Sequence, residues 1–333
     1  MNIAISSGSA AALGLVDIRR DAEVGTLYVM LGEGDCAFSC SFCPQGGAST
    51  SSRRFLSRVT WPEFEAEEVL DRLASASVDG RGPRRVCLQV LGGEAGLGAA
   101  HRFLGEYRAA GIDLPVSVNA AVLDEDSAAR LFSEGASRLG LAMDAATPQL
   151  FRHHKIDHPG AYEERMGLLE RLGRRFPGAI STHFIAGLGE TEEEMVRAMH
   201  RALQAGVTVA LFALTPVRGT PMEGAKPPEM SSYRRLQLAR QLMAERGVGP
   251  GDFAFSGGEI EGIQHPVTPG DLSRAFLTSG CPDCNRPYYN ERPGEVPYNY
   301  PRPLDEDEVA AAALVTGLWS PSEIPGGGVS SRG

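Results

Sequence analysis

Leu27-Tyr28-Val29-Met30-Leu31 is an unbroken apolar run, and it stands just ahead of Cys36-Ala37-Phe38-Ser39-Cys40-Ser41-Phe42-Cys43. The run reads as a first strand and the cysteines as the loop that leaves its carboxyl end. Further strand-like segments follow at residues 85–91, 116–122, 138–143, 179–185 and 207–214. Between them lie stretches with helical spacing. One is Ala66, Val69, Leu70 and Leu73; another is Met195, Ala198, Met199 and Ala202. The second is preceded by Thr191 with Glu194 three residues on, the signature of a capping box. Repeated βα units imply parallel strands joined by right-handed crossovers. The predicted fold class is therefore α/β, a partial (β/α)6-type TIM barrel with a loop-rich C-terminal module. Function in such barrels sits where the βα loops converge at the carboxyl ends of the strands.

Outward from that body, residues 1–24 read as a lead-in segment and 25–250 as the barrel. The βα pattern weakens beyond Gly247, and Gly, Pro and Tyr become dense between Ser279 and Pro303, so residues 251–305 form the module. Residues 306–333 read as a C-terminal helix and a Gly-, Ser- and Pro-rich tail, disordered from Ser320 onward.

The chain has 333 residues, long enough for a barrel with appendages, and 42% of them are hydrophobic, which argues against global disorder. A net charge of -10 disfavours a nucleic-acid surface, because phosphate binding needs clustered Lys and Arg. No apolar run approaches the roughly 20 residues that span a bilayer. The apolar N-terminus has no basic residue ahead of it and no clear cleavage site. These features point to a cytoplasmic protein without nucleic-acid or membrane partners.

Five of the six cysteines fall in two tight groups, a pattern of metal binding rather than of a disulfide framework in a long chain. The spacing of Cys36, Cys40 and Cys43 lets one loop wrap three corners of a cubane, and thiolates are the soft ligands that iron–sulfur clusters take. Three ligands for a [4Fe–4S] cluster leave one iron open to the amino and carboxylate groups of S-adenosyl-L-methionine (SAM). The alternatives are a zinc loop or buried structural cysteines.

This C-x-x-x-C-x-aromatic-C pattern resembles the signature of the radical SAM superfamily, and Cys43-Pro44-Gln45 is similar to its biotin synthase branch. Gly92-Gly93-Glu94, after the second strand, resembles the motif that in the family meets the methionine amino group of SAM; Ala95 stands where the family often has Pro. Gly187-Leu188-Gly189-Glu190-Thr191, after the fifth strand, is similar to the segment that borders the adenine. Each is also, by itself, a glycine turn. Asp144, after the fourth strand, matches an Asp that bonds the ribose hydroxyls in that branch, and it equally suits a helix N-cap ahead of Thr147-Pro148. Asn119 ends the third strand. Arg218, in the segment after the sixth, either meets a carboxylate or is solvated. His153 and His154 read as surface residues.

Cys281-Pro282-Asp283-Cys284-Asn285-Arg286-Pro287 offers two more thiolates, a half-site for an auxiliary iron–sulfur cluster or for zinc, a redox pair or a structural turn. Cys87 is the remaining cysteine, either a third auxiliary ligand or a small buried apolar residue. The biotin-synthase-like body with this module resembles the two-component lipoyl synthases, over approximately residues 10–305. The resemblance implies a 5′-deoxyadenosyl radical and sulfur insertion into an octanoyl chain on a carrier protein, alongside a sister radical SAM protein and an electron donor of flavodoxin or ferredoxin type. The alternatives are a biotin synthase-like enzyme of carbon-skeleton rearrangement or ring formation, and a non-catalytic iron–sulfur accessory protein.

Overall fold

A computed structural model describes residues 1–20, 22–32, 36–78, 80, 82–121, 124–156, 158–287, 289–291 and 294–325. Asn2–Ile5 (β1) and Ser7–Ala12 (α1) precede the first parallel strand, Thr26–Leu31 (β2). After the cysteine loop come Phe55–Leu56 (β3), Val59–Thr60 (β4), Glu63–Glu65 (β5) and Ala66–Val78 (α2). The βα succession continues through Arg85–Val90 (β6), Glu94–Ala109 (α3), Val116–Asn119 (β7), Glu125–Ser133 (α4) and Ala136–Gly140 (β8). Pro148–His154 (α5) and Ala161–Arg175 (α6) lead to Ile180–Ala186 (β9), Glu192–Gln204 (α7), Thr208–Ala213 (β10) and Met230–Arg246 (α8). A hairpin of Phe253–Ser256 (β11) and Glu259–Ile263 (β12) follows, then Pro269–Ala275 (α9) and Glu306–Val315 (α10).

The main sheet runs β10-β9-β8-β7-β6-β2-β1-β5. From β2 to β10 the six neighbours are parallel and lie in sequence order, each new strand adding to the same side. This is the predicted partial barrel, an α/β fold with a parallel core flanked by helices. Each of the six strands falls on its predicted segment, with the ends differing by a few residues; Val122, at the end of the predicted third strand, lies outside the described residues. A strand of a parallel sheet is covered on both faces, and every residue of β2 is buried accordingly.

The helices supply the outer layer. Ala66, Val69, Leu70 and Leu73 turn one face of α2 into the core, each large side chain contributing roughly 1.5–3 kcal/mol by its burial. Helix α7 starts on the predicted capping box: Glu194 N–H donates to Thr191 Oγ1 at 3.2 Å, and Thr191 N–H to Glu194 Oε2 at 2.8 Å. The first residues add a feature that local periodicity does not carry. β1 joins the sheet antiparallel to both β2 and β5, with Ala4 opposite Met30 and Ile3 opposite Phe64. Of the tail predicted to be disordered, residues 320–325 form turns with Ile324 buried, and residues 326–333 lie outside those described.

The C-terminal module spans the two ends of the parallel series. Thr26 Oγ1, on β2, donates to Asp283 O at 2.9 Å, and Arg85 Nε, on β6, donates to Pro282 O at 3.0 Å. On the other side Leu211 N–H, on β10, donates to Ser279 Oγ at 3.0 Å. The Cys281–Cys284 turn is thus pinned at the amino ends of β2 and β6. The chain then climbs, so that Asn290 Nδ2 donates to Ala213 O and Thr215 Oγ1, both at 2.7 Å, at the carboxyl end of β10.

Candidate active site

A cavity of about 260 Å³ opens at the carboxyl ends of the parallel strands. One wall is the cysteine loop, whose Cys36, Cys40 and Cys43 all face it. The loop is folded on itself: Cys43 N–H donates to Cys40 O at 3.1 Å, and Gly47 N–H to Phe38 O at 3.0 Å. It is also tied to the turn after β6, where Ala37 N–H donates to Gly92 O at 2.9 Å and Gly92 N–H to Cys36 Sγ at 3.2 Å. Gly92 is required by this closeness. A Cβ there would overlap the Phe38 ring and lie 3.2 Å from Cys36 Sγ.

The opposite wall carries a buried charge cluster. Asp144 sits just past β8 in the left-handed region (φ 64°) and is held by main-chain bonds to β9, with its N–H donating to His183 O at 2.9 Å and its carbonyl accepting from Ile185 N–H at 2.7 Å. Its carboxylate pairs with Lys155 Nζ and, at 2.8 Å, with His183 Nε2. Lys155 also donates to Ala142 O at 2.7 Å. Burial opposes ionisation of Asp144, yet the charges of Lys155 and His183 together outweigh it and hold the carboxyl below the usual Asp range. The N-cap of α5 is Thr147, whose Oγ1 accepts from Leu150 N–H, so the capping alternative for Asp144 falls away.

The third wall is the C-terminal segment, through Arg286, Tyr289 and Asn290. Beneath the cavity lies a smaller one of about 40 Å³, lined by Cys87, Cys281 and Cys284 together with Arg286 and Phe212, which also border the upper chamber.

Of the residues singled out in the sequence, Cys36, Cys40, Cys43, Gly92, Asn119 and Asp144 line the upper cavity. Glu94 does not: it opens α3 with its side chain exposed, next to Gly93, the N-cap. Gly187 (φ 101°) and Gly189 (φ 117°) follow β9 outside the cavity lining, and Gly187 N–H and Leu188 N–H donate to the Glu190 carboxylate. Arg218 borders a separate surface hollow with Thr50 and Glu223. His154, read as a surface residue, is buried, its ring bonded to Ser41 Oγ at 2.8 Å and Leu188 O at 3.0 Å. Lys155, His183, Arg165 and Arg286 line the cavity without having been singled out as ligand-binding residues. The one signal for His183 is a titratable side chain in the middle of a largely buried strand.

The expected metal sites need correction. The sequence pattern predicts a [4Fe–4S] cluster on Cys36, Cys40 and Cys43 completed by SAM, and offers Cys281 and Cys284, with Cys87 as a candidate third ligand, as a half-site for a second iron–sulfur cluster or for zinc. Among the described residues no three His, Cys, Asp or Glu side chains form a group that could hold a metal ion. The sulfurs are engaged separately. Cys36 accepts from Gly92 N–H, Cys87 from the amides of Gln89 at 3.1 Å and Asn119 at 3.2 Å, and Cys284 lies 3.5 Å from Tyr28 Oη. Burial pushes the Cys40 thiol up to about 12 and the Cys43 thiol up to about 11, and it raises Cys87 and Cys284 as well. The residues as placed do not fit the clusters.

Six parallel strands, with a cysteine loop, a glycine turn and a buried carboxylate converging on one cavity at their carboxyl ends, define an α/β partial barrel. The radical SAM superfamily model matches residues 34–202, just over half of the chain, and the chain belongs to that superfamily. The superfamily is one of enzymes whose chemistry uses SAM and iron–sulfur clusters. The chain is 24% identical over 210 residues to biotin synthase of Aquifex aeolicus, covering 61% of this chain and 59% of that protein. It is 28% identical over 218 residues to biotin synthase of a Nocardioides species, covering 63% and 54%. The chain thus spans less than two-thirds of the length of these relatives. Among solved structures, HydG, a maturase of the [FeFe]-hydrogenase, is similar with a TM-score of 0.53 at 13% identity, over 67% of this chain and 51% of that one. That likeness concerns the fold.

Proposed function

We propose that this chain is a radical SAM sulfurtransferase that inserts sulfur into an octanoyl chain held on a carrier protein, the reaction of a lipoyl synthase. The observation that carries the reading is the convergence of two distant motifs. Arg286, Tyr289 and Asn290, from the segment that resembles the two-component lipoyl synthases, face the same chamber as the N-terminal cysteine loop. Its apolar walls, Val90, Leu91, Ala213 and Leu214 among them, suit an alkyl chain and keep water from a reactive carbon. Asp144, ionised and held rigid by Lys155 and His183, is the acceptor for a ribose diol in this reading. By resemblance, Gly92, Gly93 and Glu94 are assigned to the methionine end of SAM and Gly187 and Gly189 to the adenine, although of these only Gly92 borders the chamber. The partners are an octanoylated carrier protein, a sister radical SAM protein and a flavodoxin- or ferredoxin-type electron donor, in the cytoplasm. Among the described residues no helix is long and apolar enough to cross a membrane.

A second reading is another biotin synthase-like radical SAM enzyme, one that rearranges carbon or forms a ring. One experiment separates the two. The purified protein is incubated without oxygen with reductant, SAM, an octanoylated carrier protein and the partner proteins. 5′-Deoxyadenosine is then quantified, and the carrier is analysed by intact mass. Sulfur added to the octanoyl group supports the first reading. 5′-Deoxyadenosine formation with no sulfur in the acyl product overturns it.

A further inference from the structure

Arg286 is the one cation of the chamber clamped between two aromatic rings. Its guanidinium carbon lies 4.2 Å from the centroid of the Phe212 ring and 4.4 Å from that of Tyr289. Its backbone N–H donates to Tyr28 Oη at 3.1 Å, which fixes the root of the side chain, and it sits at a positive φ of 35°. Nε is buried and has no hydrogen-bond partner. Among the described residues no carboxylate forms an ion pair with this guanidinium. Among the described residues the one carboxylate that lines the chamber, Asp144, is already engaged by Lys155 and His183.

Aromatic faces attract a cation but accept none of its in-plane N–H donors. A buried donor left unmade is costly, and a guanidinium in an apolar chamber gains most from an oxygen in its own plane. The stacking supplies the second half of the device. Two ring contacts restrict the guanidinium before any ligand arrives, so less ordering entropy is lost on binding.

We propose that Arg286 is a substrate-anchoring and specificity-determining residue that hydrogen-bonds the carbonyl or carboxylate oxygen at the head of the substrate's aliphatic chain. The inference rests on the acyl-substrate reading above and adds to it the group that sets the register of the chain in the chamber. The same oxygen chemistry comes from two sources, a free fatty carboxylate or the amide carbonyl of an acylated lysine.

The test is equilibrium binding of two probes, octanoate and a short peptide containing N6-octanoyl-lysine, to the full chain and to Arg286→Met. The wild type binds the probe whose head group the site is built for, octanoate pointing to a free acid and the peptide to a carrier-bound chain. Arg286→Met weakens that binding by at least about tenfold, the loss of one hydrogen bond to a charged group. Arg286→Lys, which keeps the charge and the fold of a cationic site but loses the flat fork, falls between them. Equal affinity of wild type and both variants overturns the anchor, as does a wild type that binds neither probe. Failure of the parent reading shows elsewhere. An enzyme that binds the peptide through Arg286 yet adds no sulfur to an octanoylated carrier has the anchor without the proposed reaction.

Discussion

Two walls of one cavity bury positive charge in opposite ways. On the wall built by β8 and β9, Lys155 is neutralised by Asp144, which His183 also engages, and donates to a main-chain carbonyl. On the wall built by the C-terminal segment, the Arg286 guanidinium meets the faces of Phe212 and Tyr289 and, among the described residues, no carboxylate. The first arrangement is complete in itself, so the protein's own stability depends on it. The second is incomplete without a ligand, and its value is deferred to binding. Charge compensation within the chain separates residues that hold a site in shape from residues that wait for an occupant.

The contrast is open to direct attack. The largest expected effect belongs to Asp144→Ala, which strands Lys155 without a counter-ion at 6% side-chain exposure. It is expected to lower unfolding free energy by about 3–5 kcal/mol, read by urea denaturation. Lys155→Met comes next at about 1–3 kcal/mol, because Asp144 keeps His183 as a partner. A cost for Lys155→Met equal to that of Asp144→Ala would mean that His183 carries no share of the pairing.

The pH dependence sharpens the same wall. The carboxyl of Asp144 has a folded-state pKa below its unfolded value, so its contribution is fully present above the unfolded pKa and lost as pH falls through the folded one. The stability gap between wild type and Asp144→Asn should therefore be flat from pH 7 to 5 and shrink below about pH 4. A gap that widens as the solution is acidified would invert the assignment of charge. The smallest expected effect is that of Arg286→Met on stability, within about 1 kcal/mol of wild type, since only the ring contacts are lost. A loss as large as that of Asp144→Ala would show the two walls to be energetically alike.

Much of this arrangement was legible in the chain. The six parallel strands follow from short apolar runs with helical stretches between them, and Thr191 with Glu194 marks the start of α7 because a capping box is local in sequence. The cysteine loop and Gly92 were legible for the same reason, as motifs a few residues long at strand ends. What escaped depends on distance along the chain. Lys155 reaches Asp144 only because α5 turns back over the end of β8, and His183 only because β9 lies beside it. Arg286 finds Phe212 across more than seventy residues of intervening chain. β1 was read as lead-in because its partners β2 and β5 lie far downstream. The metal groupings illustrate the converse: cysteine spacing states which sulfurs are near in sequence, and the folded chain decides which of them meet and what each is bonded to.

Only Asn285 stands between Cys284 and Arg286, and it is moored at both ends of its amide, accepting from Gly25 N–H at 3.2 Å and donating to Glu23 O at 2.5 Å. That mooring lets one short stretch of backbone border both cavities, its thiols lining the lower and its guanidinium reaching the upper, so the floor of the barrel and the grip on its contents share a single footing.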